Sequence, residues 1–362
     1  AKREQILIQH FGKKIIMDMP ERADGQDRPD FETIVHYLIY AAEKTPGRPA
    51  VICDGVSLSY QEVNLAAASL AAKLHQKGIG SGDRIAVIST ATGQLPQVIF
   101  GGLGSGAQVA MINPYFTGRE LEPLFQISKP KVAICDQQII GELLPLSRSL
   151  GFEIIPISDD LWLDSTANWI TEDLPPGDDL AILLFTGGTT GVSKGVPHTH
   201  KQVIASLIAI EDRWPTYLDQ EVFLNIPPLF HIVGLFHGCF QPVYGRSTAL
   251  ILSRFNPEHV FRLIKDHKVS VMIAGVPTAY TAMLNHPNFR KADFSSLRFA
   301  CGGGAPLAEK TLKEWERYTG VPALEGYGMT EGAPTCNNPL VGERQYYLWV
   351  NPYLVSKWKL LI

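Results

Sequence analysis

Residues 181–195 read AILLFTGGTTGVSKG, an apolar run of strand length followed directly by a loop rich in glycine, threonine and lysine. Glycines let backbone N–H groups turn towards one point, and the hydroxyls and the ammonium of Lys194 add further donors. A buried strand that ends in such a loop is typical of phosphate sites. The stretch therefore predicts a polyphosphate site at the end of a sheet strand, in preference to a flexible surface loop.

Two known catalytic patterns nearly fit this loop. A Walker-type loop needs Gly-Lys followed by Ser or Thr, whereas Lys194 lies between Ser193 and Gly195. Residues 191–195 also match Gly-x-Ser-x-Gly, which would make Ser193 the nucleophile of a serine hydrolase. A nucleophile elbow places its serine directly after the strand, and Ser193 lies well beyond Phe185. We therefore retain a serine hydrolase that uses Ser193 as an alternative function.

The rest of the chain alternates helix-period and strand-like segments, which predicts an α/β architecture. Ser59 with Glu62, and Thr117 with Glu120, form capping boxes that begin helices, and Pro257 suits the first turn of another. Six segments read as buried strands: Arg84–Ser89, Lys131–Cys135, Ala181–Phe185, Val222–Ile226, Ser270–Ala274 and Leu297–Cys301.

Composition excludes several classes of protein. Of 362 residues, 45% are hydrophobic and 19% charged, which indicates a folded chain of two or three units. The net charge of −4 argues against a nucleic-acid partner. Five widely spaced cysteines predict free thiols in a reducing compartment. Without a long apolar run or a signal-like N-terminus, we expect a cytoplasmic protein with at most peripheral membrane association. The sequence leaves open whether the protein is an oligomer.

We divide the chain into four parts. These are an N-terminal extension (1–30), a first α/β subdomain (31–175), a second α/β subdomain with the nucleotide and acyl site (176–340) and an atypical tail (341–362). Residues 159–179 follow neither a helix nor a strand period and are the candidate linker. The tail is rich in aromatic residues, which are costly to leave in water.

Further blocks carry a family resemblance. Residues 186–195 resemble the phosphate-binding signature of the adenylate-forming (acyl-activating) superfamily, and residues 297–307, LRFACGGGAPL, resemble its glycine turn at the nucleotide pocket. Residues 324–331, LEGYGMTE, resemble its adenine-binding segment, and residues 227–231, PPLFH, resemble its pocket-histidine motif. The blocks occur in order across about residues 31–339, and their sequences are most similar to those of fatty-acid:CoA ligases.

The resemblance implies a fold and an activity. The fold would be the N-terminal domain of such a ligase, two stacked α/β subdomains in αβαβα layers, without most of the β-barrel subdomain and without the small C-terminal domain. The activity would be ATP-dependent conversion of a carboxylic acid, a medium- or long-chain fatty acid, to acyl-AMP and then to acyl-CoA. ATP, Mg²⁺ and coenzyme A would take part. Aryl acids, and a carrier protein in place of coenzyme A, stay open.

The resemblance also gives roles to residues. Catalysis would fall to Lys194, His231, Thr330 and Glu331, with Glu331 as the Mg²⁺ ligand. The acyl group would be bound by His231, Val233, Gly234 and Leu235. The nucleotide would be bound by Thr186, Gly187, Gly188, Thr189, Thr190, Gly191, Lys194, Gly302, Gly303, Gly304, Glu325, Gly326, Tyr327, Gly328 and Thr330.

Structural explanations compete with several of these roles. Tyr327 could be a core aromatic residue, Glu331 a carboxylate at a helix start, and His231 a satisfied core histidine. His198 and His200 have no third metal ligand at a recognisable spacing, so we expect them to be structural.

The sequence also departs from the family pattern. It has no match to the Thr-Gly-Asp segment, whose aspartate binds the ribose, or to the late catalytic lysine. A chain without those groups should bind ATP weakly and form adenylates slowly. The alternative function is therefore a catalytically impaired nucleotide- or acyl-binding fragment.

Overall fold

The structure is a computed structural model of the chain, and it describes residues 5–10, 13–18, 28–90, 93–158, 168–169, 173–187, 193–340 and 344. The strands, in chain order, are β1 (Gln5–His10), β2 (Lys13–Asp18), β3 (Pro49–Cys53), β4 (Val56–Ser59), β5 (Arg84–Ile88), β6 (Gln108–Met111), β7 (Val132–Cys135), β8 (Glu153–Pro156), β9 (Leu180–Thr186), β10 (Lys194–Thr199), β11 (Val222–Asn225), β12 (Thr248–Ile251), β13 (Val271–Gly275), β14 (Phe299–Gly302), β15 (Ala323–Met329) and β16 (Gly332–Asn337).

Helices fill most of the intervals between these strands. They are α1 (Ile34–Lys44), α2 (Tyr60–Gln76), α3 (Leu95–Gly104), α4 (Gly118–Ser128), α5 (Ile140–Leu150), α6 (His200–Arg213), α7 (Ile232–Leu235), α8 (Gln241–Tyr244), α9 (Pro257–His267), α10 (Pro277–Leu284) and α11 (Glu309–Thr319). A π-helical turn, Phe236–Phe240, joins α7 to α8. Short 3₁₀ turns lie at Gln137–Ile139 and Phe289–Lys291.

Local sequence rules account for several helix ends. The Ser59 N–H donates to Glu62 Oε2 at 2.7 Å and the Glu62 N–H donates to Ser59 Oγ at 3.2 Å, which confirms the first capping box. Thr117 and Glu120 form the second capping box at the start of α4. Pro257 is the first residue of α9, as predicted.

Two open sheets organise the described chain. The first has the strand order β10-β9-β6-β5-β7-β8, and only the edge strand β10 runs antiparallel to its neighbour. The second has the order β16-β15-β14-β13-β11-β12-β3-β4, parallel except for the pair at each edge. Strands β1 and β2 pair only with each other, as an antiparallel hairpin.

Successive strand residues are buried on opposite faces of each sheet. Three layers of helices therefore alternate with the two sheets. Ile85 and Val87 of β5 face the central core, which also holds residues of α1, α2, α3 and α6, whereas Ala86 and Ile88 face α4 and α5. In the second sheet Phe223 faces the central core and Leu224 faces α9, α10 and α11. The αβαβα layering expected from the resemblance is confirmed.

The division into sheets does not coincide with the expected boundary at residue 175. Strands β3 and β4 lie in the first half of the chain but complete the second sheet, because Val51 pairs with Ala249 of β12. Strands β9 and β10 lie in the second half but extend the first sheet, because Ile182 pairs with Val109 of β6. The two layers therefore exchange strands. Within the candidate linker, Trp169 Nε1 donates to Asn64 Oδ1 at 2.8 Å and so ties that segment to α2.

Candidate active site

One cavity of about 190 Å³ lies at the carboxyl ends of β13, β14 and β15. Ligands in open parallel sheets bind at this edge, because the strands end there and loops of neighbouring strands meet. The cavity is lined by Ile210, Trp214, His231, Ile232, Val233, Phe236, His237, Ile273, Cys301, Gly302, Gly303, Gly304, Gly326, Tyr327, Gly328, Met329, Thr330 and Asn337. Nine of the predicted site residues are therefore brought to one place: Gly302, Gly303, Gly304, Gly326, Tyr327, Gly328, Thr330, His231 and Val233.

The two glycine segments approach each other more closely than side chains would permit. A Cβ on Gly303 would lie 2.3 Å from the carbonyl oxygen of Gly326. A Cβ on Gly326 would lie 2.5 Å from Asn337 Oδ1 and 3.1 Å from the Trp214 ring. The absence of side chains at both positions therefore lets the turn after β14 pack directly against β15 in the cavity wall.

Tyr327 and Glu331 lie in a β-hairpin. Tyr327 is half-buried in β15 opposite Cys336 of β16, and it lines the cavity. Thr330 and Glu331 form the turn between β15 and β16, with Glu331 exposed. The alternative of Glu331 as a helix-start carboxylate is wrong, because a strand and no helix follows it.

Glu325 is turned away from the cavity. Its side chain is fully buried and accepts a hydrogen bond from the Leu307 N–H at 3.2 Å. That bond holds the loop after β14 against β15. Its expected place beside the adenine stays a prediction, since the carboxylate does not line the cavity in the described structure.

The strands that flank the glycine- and threonine-rich loop in sequence form an antiparallel pair. Strands β9 and β10 pair with Lys194 opposite Thr186, so these residues and Gly187 form the described base of the loop, where Lys194 and Gly187 are exposed. Gly188, Thr189, Thr190 and Gly191 lie outside the described residues. Ser193 is followed by a strand, so it lacks the strand–turn–helix setting of a nucleophile elbow, and the hydrolase interpretation is wrong.

His198 connects this hairpin to the cavity. Its ring, 5% exposed, lies 6.0 Å from the ring of Phe236 and close to the backbone of Thr330 and the carboxylate of Glu331. Burial lowers the pKa of His198, although the Thr330 backbone and the Glu331 charge oppose this effect. The first sheet therefore contacts the β15–β16 turn of the second sheet through His198. His200 is fully buried in α6 and has no partner on either ring nitrogen among the described residues.

His231 begins the short helix that walls the cavity. It is exposed at the cavity edge, and its Nδ1 accepts a hydrogen bond from the Val233 N–H at 3.3 Å. It is therefore a helix-capping residue and not a core histidine. Gly234 packs against backbone instead of the cavity, since a Cβ there would lie 2.1 Å from the Pro228 oxygen, and Leu235 is fully buried behind the wall.

Sequence reasoning missed nine lining residues, which are Ile210, Trp214, Ile232, Phe236, His237, Ile273, Cys301, Met329 and Asn337. Phe236 and His237 follow Ile232 and Val233 at helical spacing, so that periodicity could have indicated them. Ile210 and Trp214 come from α6 and the residue that ends it, on another segment of chain, and no sequence pattern links them to the cavity.

Glu331 is the candidate metal ligand that the sequence predicted, and it lies among the described residues. The described residues contain no cluster of three or more His, Cys, Asp or Glu side chains arranged to hold a metal. Mg²⁺ in nucleotide sites is commonly bound by one or two carboxylates together with substrate phosphates. The exposed carboxylate of Glu331 beside the cavity suits that mode of binding.

Among the helices in the described ranges, none has both the length and the apolar character needed to span a membrane.

The two sheets in αβαβα layers, with glycine turns around a cavity at the strand ends, define the N-terminal domain of the adenylate-forming enzymes. Comparison with known proteins agrees. The chain belongs to the AMP-binding enzyme family, whose sequence profile matches residues 38–351.

Individual relatives show which enzymes this chain resembles and how much of their length it covers. A long-chain-fatty-acid–CoA ligase of Salmonella typhimurium is 28% identical, over 87% of this chain and 63% of its own length. A 4-coumarate–CoA ligase of Arabidopsis thaliana is 30% identical, over 87% of this chain and 58% of its own. The ATP-bound structure of MatB from Rhodopseudomonas palustris is 26% identical and superposes with a TM-score of 0.79, covering 86% of this chain and 63% of that one. The chain thus spans less than two thirds of the length of these relatives.

Proposed function

We propose that this chain contributes the nucleotide and acyl site of an AMP-forming acid–thiol ligase. The observation that carries the proposal is the convergence of Gly302–Gly304, Gly326–Thr330 and His231 on one cavity. Family membership supports it, and so do relatives that are named as CoA ligases.

The reaction requires two transfers. A carboxylate oxygen of the acid attacks the α-phosphorus of ATP, the bond to the bridging oxygen breaks, and pyrophosphate leaves with that electron pair. The thiolate of coenzyme A then attacks the acyl carbon and AMP leaves. In the first step negative charge builds on phosphoryl oxygens, so positioned donors and a cation lower the barrier.

Residues of the chain suit these demands. Gly303, Gly326 and Tyr327 line the cavity. Glycine backbone there would let a nucleotide approach, and the Tyr327 ring would supply a stacking surface. Lys194, Thr186 and the loop they flank would bind the outer phosphates, and Thr330 the α-phosphate. Glu331 would hold Mg²⁺, which neutralises phosphate charge when bound.

His231 suits the carboxylate end of the acid. Because Nδ1 accepts from the Val233 N–H, a neutral His231 ring carries its proton on Nε2. That N–H can donate to a carboxylate oxygen and hold it for attack. Val233 and Phe236 would then contact the first carbons of the acyl group.

We propose a fatty acid as the substrate, because the bacterial relative with 28% identity is named a long-chain-fatty-acid–CoA ligase. An aromatic acid is the second candidate, supported by the plant relative at 30% identity.

Acid-dependent exchange of labelled pyrophosphate into ATP tests the activity. It should be measured with this chain and with this chain joined to the C-terminal region of the Salmonella relative, using aliphatic and aromatic acids. Glu331→Gln should reduce exchange about tenfold or more, whereas Glu43→Gln, an exposed carboxylate on α1, should not.

Calorimetry with Mg·ATP separates the outcomes. ATP binding without exchange by either protein, with any acid, would support the nucleotide-binding alternative instead of a ligase. Absence of both binding and exchange in a folded protein would contradict the proposal altogether.

A further inference from the structure

His237 places a polar side chain in the apolar part of the cavity wall. Trp214, Phe236 and Ile273 also line this cavity, and the His237 ring lies 5.5 Å from the ring of Trp214. His237 is 8% exposed and presents its remaining open surface to the cavity. A polar group in such a wall is costly unless it is hydrogen-bonded.

A chain of hydrogen bonds behind the wall orients His237. One oxygen of Glu211 accepts from the Arg28 guanidinium at 3.1 Å and from the Thr216 N–H at 3.0 Å. Gln241 Nε2 donates to the other oxygen of Glu211 at 2.7 Å. Because a carboxylate accepts, this contact fixes which end of the Gln241 amide is nitrogen, and its Oε1 lies 3.0 Å from His237 Nδ1.

That contact determines the tautomer of His237. The amide oxygen of Gln241 has no proton to give, so Nδ1 of His237 carries the hydrogen of the bond. Burial lowers the pKa of His237 to about 4, although the bond with Gln241 opposes the effect, so the ring is neutral near pH 7. Nε2 is then a lone-pair acceptor. No hydrogen bond joins Nε2 to any residue in the described part of the chain.

His231 has the opposite tautomer at the other end of the same helical segment. Its Nδ1 accepts from Val233, so its Nε2 is a donor, whereas Nε2 of His237 is an acceptor. Both histidines line the cavity. Its wall therefore includes one imidazole with a donor at Nε2 and one imidazole with an acceptor at Nε2.

We propose that His237 determines substrate specificity by accepting a hydrogen bond from a hydroxyl at the far end of the bound carboxylic acid. The inference rests on the proposed function, in which His231 meets the carboxylate. The substrate class is a compact carboxylic acid with a neutral distal hydroxyl, on an aliphatic chain or an aromatic ring.

The same arrangement discriminates against other acids. A second carboxylate in place of the hydroxyl would be repelled, because the lone pairs of its oxygens would face the lone pair on Nε2 of His237. An acid that ends in a methyl group or a bare ring would leave Nε2 buried without a partner. Sites that hydrogen-bond a substrate hydroxyl reject the analogue that lacks it far more strongly than an apolar pocket rejects a missing methylene.

Two matched pairs of acids test the proposal: 4-hydroxycinnamate against cinnamate, and 8-hydroxyoctanoate against octanoate. Each acid is measured by calorimetric binding in the presence of ATP and by pyrophosphate exchange. The proteins are the wild-type chain, His237→Phe, Gln241→Leu and Cys239→Ala. Gln241→Leu removes the acceptor that holds the proton on Nδ1. Cys239 is buried in the same π turn without lining the cavity, so its variant reports a disturbed turn alone.

We expect the wild-type chain to bind the hydroxy acid at least tenfold more tightly than its partner in one pair. The pair that shows the preference distinguishes an aromatic from an aliphatic acid. His237→Phe should abolish or reverse the preference, Gln241→Leu should weaken it, and Cys239→Ala should keep it.

Different results would contradict the role of His237 and the proposed function. Preference for the unsubstituted acid in both pairs, or equal binding within both, overturns the role of His237 while acid activation stands. A preference that survives His237→Phe does the same. If no acid supports exchange by this chain or by the chain joined to the C-terminal region of the Salmonella relative, the proposed function fails, and the calorimetric ratios still decide the role of His237. Absence of binding by all four acids overturns the role of His237.

Discussion

The α-carbon of Gly303 lies against the backbone of Gly326, so that a Cβ on Gly303 would be 2.3 Å from the Gly326 carbonyl oxygen. This approach joins the turn after β14 to β15 and shapes the cavity wall. The Gly303 N–H also donates to the Gly275 oxygen at 2.6 Å, which ties the end of β13 to the same turn. Three neighbouring strands of the second sheet therefore meet at one residue without a side chain.

We expect Gly303→Ala to destabilise the protein by about 1–3 kcal/mol, because the added methyl group forces backbone apart in a packed region. The free energy of unfolding in urea measures the loss. Gly141→Ala is the matched control, since no atom lies within 4 Å of the added carbon in α5. It should be neutral or slightly stabilising. Equal effects of the two substitutions would show that the close contact carries no energetic weight.

The Glu211–Arg28 ion pair should matter far more to stability than an exposed pair. The side chain of Glu211 is 7% exposed and accepts from four donor groups. Glu211→Ala therefore leaves the half-buried Arg28 charge without a carboxylate and Nε2 of Gln241 without its acceptor. We expect a loss of about 3 kcal/mol or more. Lys77→Ala removes the pair with Glu153, whose side chains are 42% and 51% exposed, and should cost under about 1 kcal/mol. A smaller loss for Glu211→Ala than for Lys77→Ala would contradict the assignment.

Two buried histidines should make the protein sensitive to mild acid. Burial lowers the pKa of His200 and of His237 from 6.5 to about 4. Between these pH values the unfolded chain binds protons that the folded chain does not, so stability falls as the pH drops from about 6.5 to 4. The full effect is about 3 kcal/mol for each histidine.

His200→Leu isolates this effect. The wild-type and variant chains share all other titrations, so the difference between their unfolding free energies should change in favour of the variant as the pH falls from 7.5 to 4.5. Both ring nitrogens of His200 lack partners among the described residues, so the loss of hydrogen bonds does not obscure the comparison. A difference that is constant with pH would show that the pKa of His200 is the same in the folded and the unfolded chain.

The thiols should differ sharply in reactivity. Cys53, Cys135, Cys239 and Cys301 are buried, whereas Cys336 is half-buried. Burial raises the pKa of Cys135 to about 12, which leaves little thiolate at neutral pH. A disulfide reagent should modify Cys336 first in the native protein and all five cysteines in urea. Rapid native modification of two or more thiols would contradict the described packing.

Features set by neighbouring residues could be predicted from the sequence. The capping boxes at Ser59 and Thr117 follow from contacts three residues apart, and β9 follows from an unbroken apolar run before a glycine. The glycine turn at residues 302–304 and the segment 326–330 were expected at one pocket, and both line the cavity.

Features set by distant pairing could not be predicted. Nothing around Val51 or Leu58 indicates that β3 and β4 belong to the sheet built from the second half of the chain, because strand partners are chosen by packing. The turn at Thr330–Glu331 is also set by pairing, since β16 folds back on β15. Trp214 reaches the cavity only because α6 packs beneath it. His237 has a helical spacing from Val233, but the orientation of its ring depends on Glu211 and Gln241, which the sequence alone does not place behind it.

The exchange of strands between the two layers has a consequence during synthesis. Val51 finds its partner Ala249 only after most of the described chain has left the ribosome. At usual elongation rates that delay is on the order of ten to forty seconds. Through that interval the β3–β4 hairpin emerges with an unfilled edge, open to pairing with another nascent chain. Slow translation or high expression should therefore favour aggregates seeded by residues 49–59, and neither half expressed by itself can supply the missing edge.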